Sequence, residues 1–130
     1  MSQQNVEVVR GGFEAWNAGD MDAYREVYDP NVVMRTAGEW PESGPFVGRE
    51  AVMRWVEQLR ETWSSDELEP IDVIDAGDRV VVRQVWKAVG HGPDSSIDFT
   101  AVNTLRAGRI VLVDLFWDHA EALEAVGLSE

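Results

Sequence analysis

The chain has 130 residues, 45% of them hydrophobic, and its 24 Asp and Glu against 11 Lys and Arg give a net charge of −13. That length suits one core, so a single domain over residues 1–130 is expected, and the charge repels nucleic-acid phosphates and anionic lipid surfaces. The absence of cysteine excludes a disulfide framework, a thiolate zinc site and a cysteine nucleophile.

The first seven residues lack the basic and apolar regions of a secretory leader, and no apolar run is long enough to span a bilayer, so a cytoplasmic location is expected. From Gln3 to Ala18, apolar Val6, Val9, Phe13 and Trp16 recur at three- and four-residue steps, the stripe of a helix that Gly19 ends. Asp20 is the expected N-cap of a second helix through Val27, with Met21, Tyr24, Val27 and Tyr28 on one face and Asp29-Pro30 closing it. Asn31 to Thr36 reads as a short strand, and Ala37 to Gly48, rich in glycine and proline, as a loop that holds Trp40 and Phe46. A third helix is expected over Arg49 to Thr62, where Val52, Trp55, Val56 and Leu59 line up opposite outward charges.

After Ser64-Ser65 the apolar period becomes two and holds to Asp118, broken by turn signals at Ala76-Gly77, Gly90 to Ser96 and Ala107-Gly108, which predicts four antiparallel strands. Asp118 then precedes a short helix, His119 to Val126, that Gly127 caps. This order predicts an α+β fold: a curved mixed, mostly antiparallel sheet forming a cone-shaped half-barrel over three N-terminal helices, with a short C-terminal helix. Its concave side is expected to hold a small hydrophobic molecule.

The stretches Phe13-Glu14-Ala15-Trp16-Asn17-Ala18-Gly19-Asp20, Tyr28-Asp29-Pro30, Gly48-Arg49-Glu50-Ala51, Asp75-Ala76-Gly77-Asp78-Arg79, Gly108-Arg109-Ile110 and Phe116-Trp117-Asp118 resemble the nuclear transport factor two-like superfamily. Within it the chain is most similar to SnoaL-like polyketide cyclase proteins, over nearly its whole length. The resemblance implies the cone-shaped fold. Among the many activities that fold hosts, it implies a cofactor-independent cyclase, isomerase or dehydratase acting by acid/base catalysis on a hydrophobic carbonyl or polyketide-like compound. A noncatalytic ligand-binding or homodimerising module is the alternative.

Counted from nearby motifs, the catalytic positions of the superfamily's ketosteroid isomerases fall on Gly12, Thr36 and Ala101, which cannot perform that proton chemistry; Glu39 or Glu42 would reach only the position of the base. The Asp, Arg, Asp set of its epoxide hydrolases has conceivable partners in Arg83, Asp98 and Asp114, although the period of two turns Asp98 outward. SnoaL-like cyclases resemble the chain at Phe116-Trp117-Asp118 and use an acidic residue near that strand end, which implies Asp118 as general base. Asp118 also begins a capping box ending at Glu121, in which it would accept from the Glu121 amide, and both roles stay open. His91, at a hairpin mouth, is similar to the histidine of a Gly-Thr-His stretch in those proteins and reads otherwise as a solvated turn residue, and His119 adjoins Asp118; one or the other is expected to assist.

Trp86 and Trp117 are the expected walls of the pocket, Trp117 because the isomerase comparison turns Val113, Leu115 and Trp117 inward, and Asn103 offers an amide to a bound carbonyl. Tyr28, Met34 and Trp40 complete the expected substrate-binding set, whereas Trp16, Trp55 and Trp63 read as ordinary core. No phosphate loop, nucleophile elbow or zinc-binding helix motif occurs, so neither cofactor nor metal is expected. Outer valines at 81, 85, 89 and 111 among Arg79, Arg83 and Lys87 point to a homodimer through the outer sheet face, with no nucleic acid or membrane as partner.

Overall fold

The computed structural model describes residues 2–40, 44–90 and 92–128. Helix α1 (Ser2–Ala18) lays Val9, Phe13 and Trp16 into the core, the stripe its spacing predicts. Asn17 fastens its last turn to the sheet: the side-chain amide donates to the Leu68 carbonyl and its oxygen accepts from the Leu68 amide, both at 2.9 Å. Asp20 accepts from the Ala23 amide at 3.1 Å and starts α2 (Met21–Glu26).

That helix is shorter than its apolar face suggests, because Tyr28 opens strand β1 (Tyr28–Arg35) instead of continuing the helix. Pro30 falls inside β1 where the pairing register slips between Tyr28 and Val33, a place where a missing N–H breaks no ladder bond. The expected loop contains β2 (Phe46–Val47), which pairs with Val33 and Met34 of β1. Helix α3 (Arg49–Thr62) buries Val52, Met53 and Val56. Each such side chain contributes about 1.5–3 kcal/mol by leaving water, so a charge at Val52 would unseat the helix.

Strands β3 (Ser65–Ala76), β4 (Arg79–Val89), β5 (Ser95–Arg106) and β6 (Arg109–Phe116) form the meander, and the six-stranded sheet runs β2-β1-β6-β5-β4-β3. Among the described residues only β1 and β6 pair in parallel, so the sheet is mixed, mostly antiparallel and not closed into a barrel. The period of two sorts its faces. Val80, Val82, Trp86, Ala101 and Leu105 join the core under the three N-terminal helices, while Val81 and Val102 point the other way.

Helix α4 (His119–Ala125) covers that outer patch with Ala122 and Leu123, and Val81 is completely buried. The apolar character of position 81 therefore has its cover within its own chain. After α4, Gly127 adopts φ +79° and lets the Leu128 amide donate to the Leu123 carbonyl at 2.8 Å. Among the described residues no helix is long and apolar enough to cross a membrane.

Candidate functional site

Between α1–α3 and the inner sheet face lies a cavity of about 420 Å³, within the range of small-molecule sites. Its floor is sheet: Gln84 and Trp86 from β4, Phe99 and Asn103 from β5, Val113 and Leu115 from β6. Its roof is helical, with Phe13 and Trp16 from α1, Tyr24 from α2, and Trp55 and Leu59 from α3. Trp63, just after α3, and Trp55 are half-buried, and Gln58 and Thr62 beside them are exposed, which puts the mouth at the C-terminal end of α3. Among the described residues that line it, none is charged and none is histidine.

At the end formed by α2 and β1, the Tyr24 and Tyr28 hydroxyls stand 2.7 Å apart with their rings edge to face. Burial pushes the Tyr28 phenol up to about 12, against a lowering hydrogen bond from Tyr24, and raises Tyr24 as well, with the neighbouring Tyr28 adding to it. Both phenols therefore stay protonated at neutral pH. Two hydroxyl protons serve one mutual bond, so the pair keeps one O–H to offer into the cavity.

A second cluster holds the tryptophan walls in place. Asp66 of β3, whose side chain is 4% exposed, accepts from Trp16 Nε1 at 2.8 Å and from Trp86 Nε1 at 2.9 Å through one carboxylate oxygen. Arg60 of α3 approaches the other oxygen at 3.6 Å, donates to the Trp16 carbonyl at 3.1 Å and lies over the Trp16 ring. Sequence reasoning missed Asp66 because its partners lie 50 and 20 residues away, beyond any local spacing. It also read Trp16, Trp55 and Trp63 as core alone; all three line the cavity, since the stripe that packs a helix onto a sheet is the stripe that roofs a hollow beneath it.

Of the residues singled out from the sequence, Trp86, Asn103, Tyr28, Met34 and Trp40 line the cavity together. Trp117 does not: β6 ends at Phe116, so the alternation that turns Val113 and Leu115 inward no longer governs the next residue. The residue is 43% exposed; its ring leans on the outside of Trp40 at 4.6 Å between centroids and donates its N–H to the Gly38 carbonyl at 2.7 Å. Asp118 is exposed and caps α4, accepting from the Ala120 amide at 2.9 Å rather than from Glu121 as a capping box would have it. His119 lies on the outer face, its Nδ1 3.0 Å from the buried Thr100 hydroxyl and its Nε2 3.8 Å from Asp72. Neither Asp118 nor His119 is in the cavity wall. Asp98 is on the outer face too, paired with Arg83 at 2.9 Å, and Asp114 pairs with Arg35. Glu39 is not in the wall either, and His91 and Glu42 lie outside the described residues. Among the described residues no three His, Asp or Glu side chains gather as metal ligands would.

Solved structures share this architecture. Bal32a, from a soil-derived mobile gene cassette, is 26% identical with a TM-score of 0.81, over 91% of this chain and 92% of its own. A candidate polyketide cyclase from Sinorhizobium meliloti is 26% identical with a TM-score of 0.70, over 84% of this chain and 93% of its own. TerC, co-crystallised with polyporic acid, is 20% identical with a TM-score of 0.76 over 95% and 98% of the two chains, a likeness of fold. No curated protein matches the chain in sequence. The sequence pattern of the SnoaL-like domain matches residues 9–113, most of the length on which the cone and its cavity are built, and the chain belongs to the SnoaL-like family with its nuclear transport factor two-like fold.

Proposed function

We propose that the chain binds an uncharged, flat hydrophobic molecule and holds it between indole faces. The observation that carries this is a 420 Å³ hollow whose described lining includes five tryptophans and no charged side chain. An ionised ligand would give up its hydration for a site without a counter-charge, in a protein whose net charge is already −13. A flat apolar ligand loses little and gains the broad, stiff area of the indole rings. Titration with 2-methylnaphthalene, followed by tryptophan fluorescence and thermal shift, tests this: a saturable signal and a raised Tm are expected. No response up to the probe's solubility would sink it.

A second reading is catalytic, a cofactor-independent cyclase, isomerase or dehydratase, and the buried Tyr24–Tyr28 pair favours it. Its spare O–H could donate to an enolate oxygen as charge develops there. The likeness to a candidate polyketide cyclase adds support. Asp118, His91 and His119 are the proposed proton carriers, with Trp117 beside Trp40; Asp118 and His119 stand outside the cavity wall, so they would serve only a substrate that extends beyond it. The test is turnover of carbonyl or polyketide-like substrates by Asp118→Asn: turnover lost with Tm unchanged supports catalysis, and unchanged turnover removes Asp118 from it. The outer face around Val85 and the exposed Val89, beside the patch covered by α4, is the proposed homodimer contact. Light scattering that gives 14.6 kDa at every concentration would remove that contact.

A further inference from the structure

Most hydrogen-bonding groups deep in the cavity wall are engaged with the protein. Trp16 and Trp86 give their N–H groups to Asp66, the two tyrosine hydroxyls bond each other, and Asn103 Nδ2 donates to the Val80 carbonyl at 3.3 Å. Gln84 differs. It is 6% exposed, lines the cavity, and its side-chain amide bonds to no described residue. A glutamine this buried is ordinarily satisfied, so its free amide faces whatever fills the hollow.

The backbone explains its placement. Gln84 stands on the inner face of β4 opposite Phe99 of β5 and Pro70 of β3. Strand β3 bulges between Pro70 and Asp72, directly across from Gln84 and Arg83. Bulges bend a strand and re-aim side chains, often beside a binding site. The bend in the sheet and the unpaired amide thus coincide at one residue.

We infer that Gln84 selects the ligand by reading an edge on which a hydrogen-bond acceptor and a donor stand side by side, as in a lactam or carboxamide. This rests on the cavity being a ligand site. A primary amide presents C=O and N–H from one planar group, so its full complement is another such edge, met by two coplanar bonds. A lone carbonyl satisfies half of it, and a hydrocarbon satisfies none and leaves the amide buried and unpaired. A polar group in an apolar wall discriminates by that mismatch more sharply than apolar contacts can. Lactams and carboxamides are also uncharged, as the lining requires.

Three probes of nearly one outline test this by calorimetry on the full chain: 2-quinolone has N–H beside C=O, 2-methoxyquinoline has acceptors without the donor, and 2-methylnaphthalene has neither. The unmodified protein should bind 2-quinolone about tenfold more tightly than 2-methylnaphthalene, with 2-methoxyquinoline between. Gln84→Met, of similar size, should level the three, with 2-methylnaphthalene binding more tightly than to the unmodified protein because it no longer leaves an amide unpaired. Equal affinities in the unmodified protein, or a preference that survives in Gln84→Met, would overturn the role of Gln84 and leave the cavity a hydrocarbon site. Failure of all three probes to bind overturns both readings. If circular dichroism shows that Gln84→Met does not fold, the ranking of the probes on the unmodified protein decides.

Discussion

Asp66→Ala removes the carboxylate that two wall tryptophans share. The side chain is 4% exposed, so water has little access to the groups it leaves behind. Each indole N–H deprived of its acceptor costs about 1–3 kcal/mol. Arg60 also loses its counter-charge, but it is 24% exposed and keeps its bond to the Trp16 carbonyl, so its share is below about 1 kcal/mol. With some rehydration of one indole, the net loss is about 2–4 kcal/mol. For 130 residues the unfolding entropy is about 0.27 kcal/mol per kelvin, so Tm should fall by about 7–15 °C. Asp66→Asn keeps an acceptor without the charge and should lose about half as much. Urea unfolding followed by far-ultraviolet circular dichroism measures both variants, and Trp16→Phe in the Asp66→Ala background should add less than it does alone. A loss below about 0.5 kcal/mol for Asp66→Ala would refute the clamp.

A Cβ at Gly90 would lie 2.9 Å from the Trp63 ring, so Gly90→Ala must displace that indole from its edge contact with Trp86; a loss of about 1–3 kcal/mol and an altered near-ultraviolet circular dichroism spectrum are expected. Because folding lifts the Tyr28 phenol from 10.0 to about 12, the folded state holds that proton more tightly. The resulting stability is complete below pH 10 and is lost as pH rises through 12, by at most about 3 kcal/mol, and Tyr28→Phe should flatten that part of a urea-midpoint profile against pH. Asp118→Ala should cost about 1 kcal/mol through the lost cap on α4, and Asp118→Asn almost nothing, as differential scanning calorimetry would report. Equal melting temperatures for the two Asp118 variants would refute the cap.

Strong periodicity was legible and single side-chain orientations were not. The Val6-to-Trp16 stripe, the amphipathic Arg49 to Thr62 segment and the hairpin turns at Gly77 and Gly108 appear as α1, α3 and the meander. Tyr28 satisfied a helical spacing and became the first residue of β1, because parallel pairing with Ile110 of β6 depends on a strand more than 80 residues away. Strand β2 is two residues long, too short for any period. Val81 looked like a surface valine because the helix that covers it comes 38 residues later. In the cavity, alternation assigned Asn103 and Trp86 to the inner face but said nothing of Trp117 beyond the strand end. The bond between Asp66 and two distant indoles leaves no trace in composition or spacing, since only the folded chain brings those atoms together.

Helix α4 is seven residues long, yet it seals a greasy strip over the two central strands of the meander. Shortened forms that stop before Asp118 would bare Val81 and Val102 on a fully paired sheet and should clump. A reporter joined behind Leu128 would leave the seal intact. Cutting the chain before α4 and adding to it after α4 should therefore have opposite outcomes.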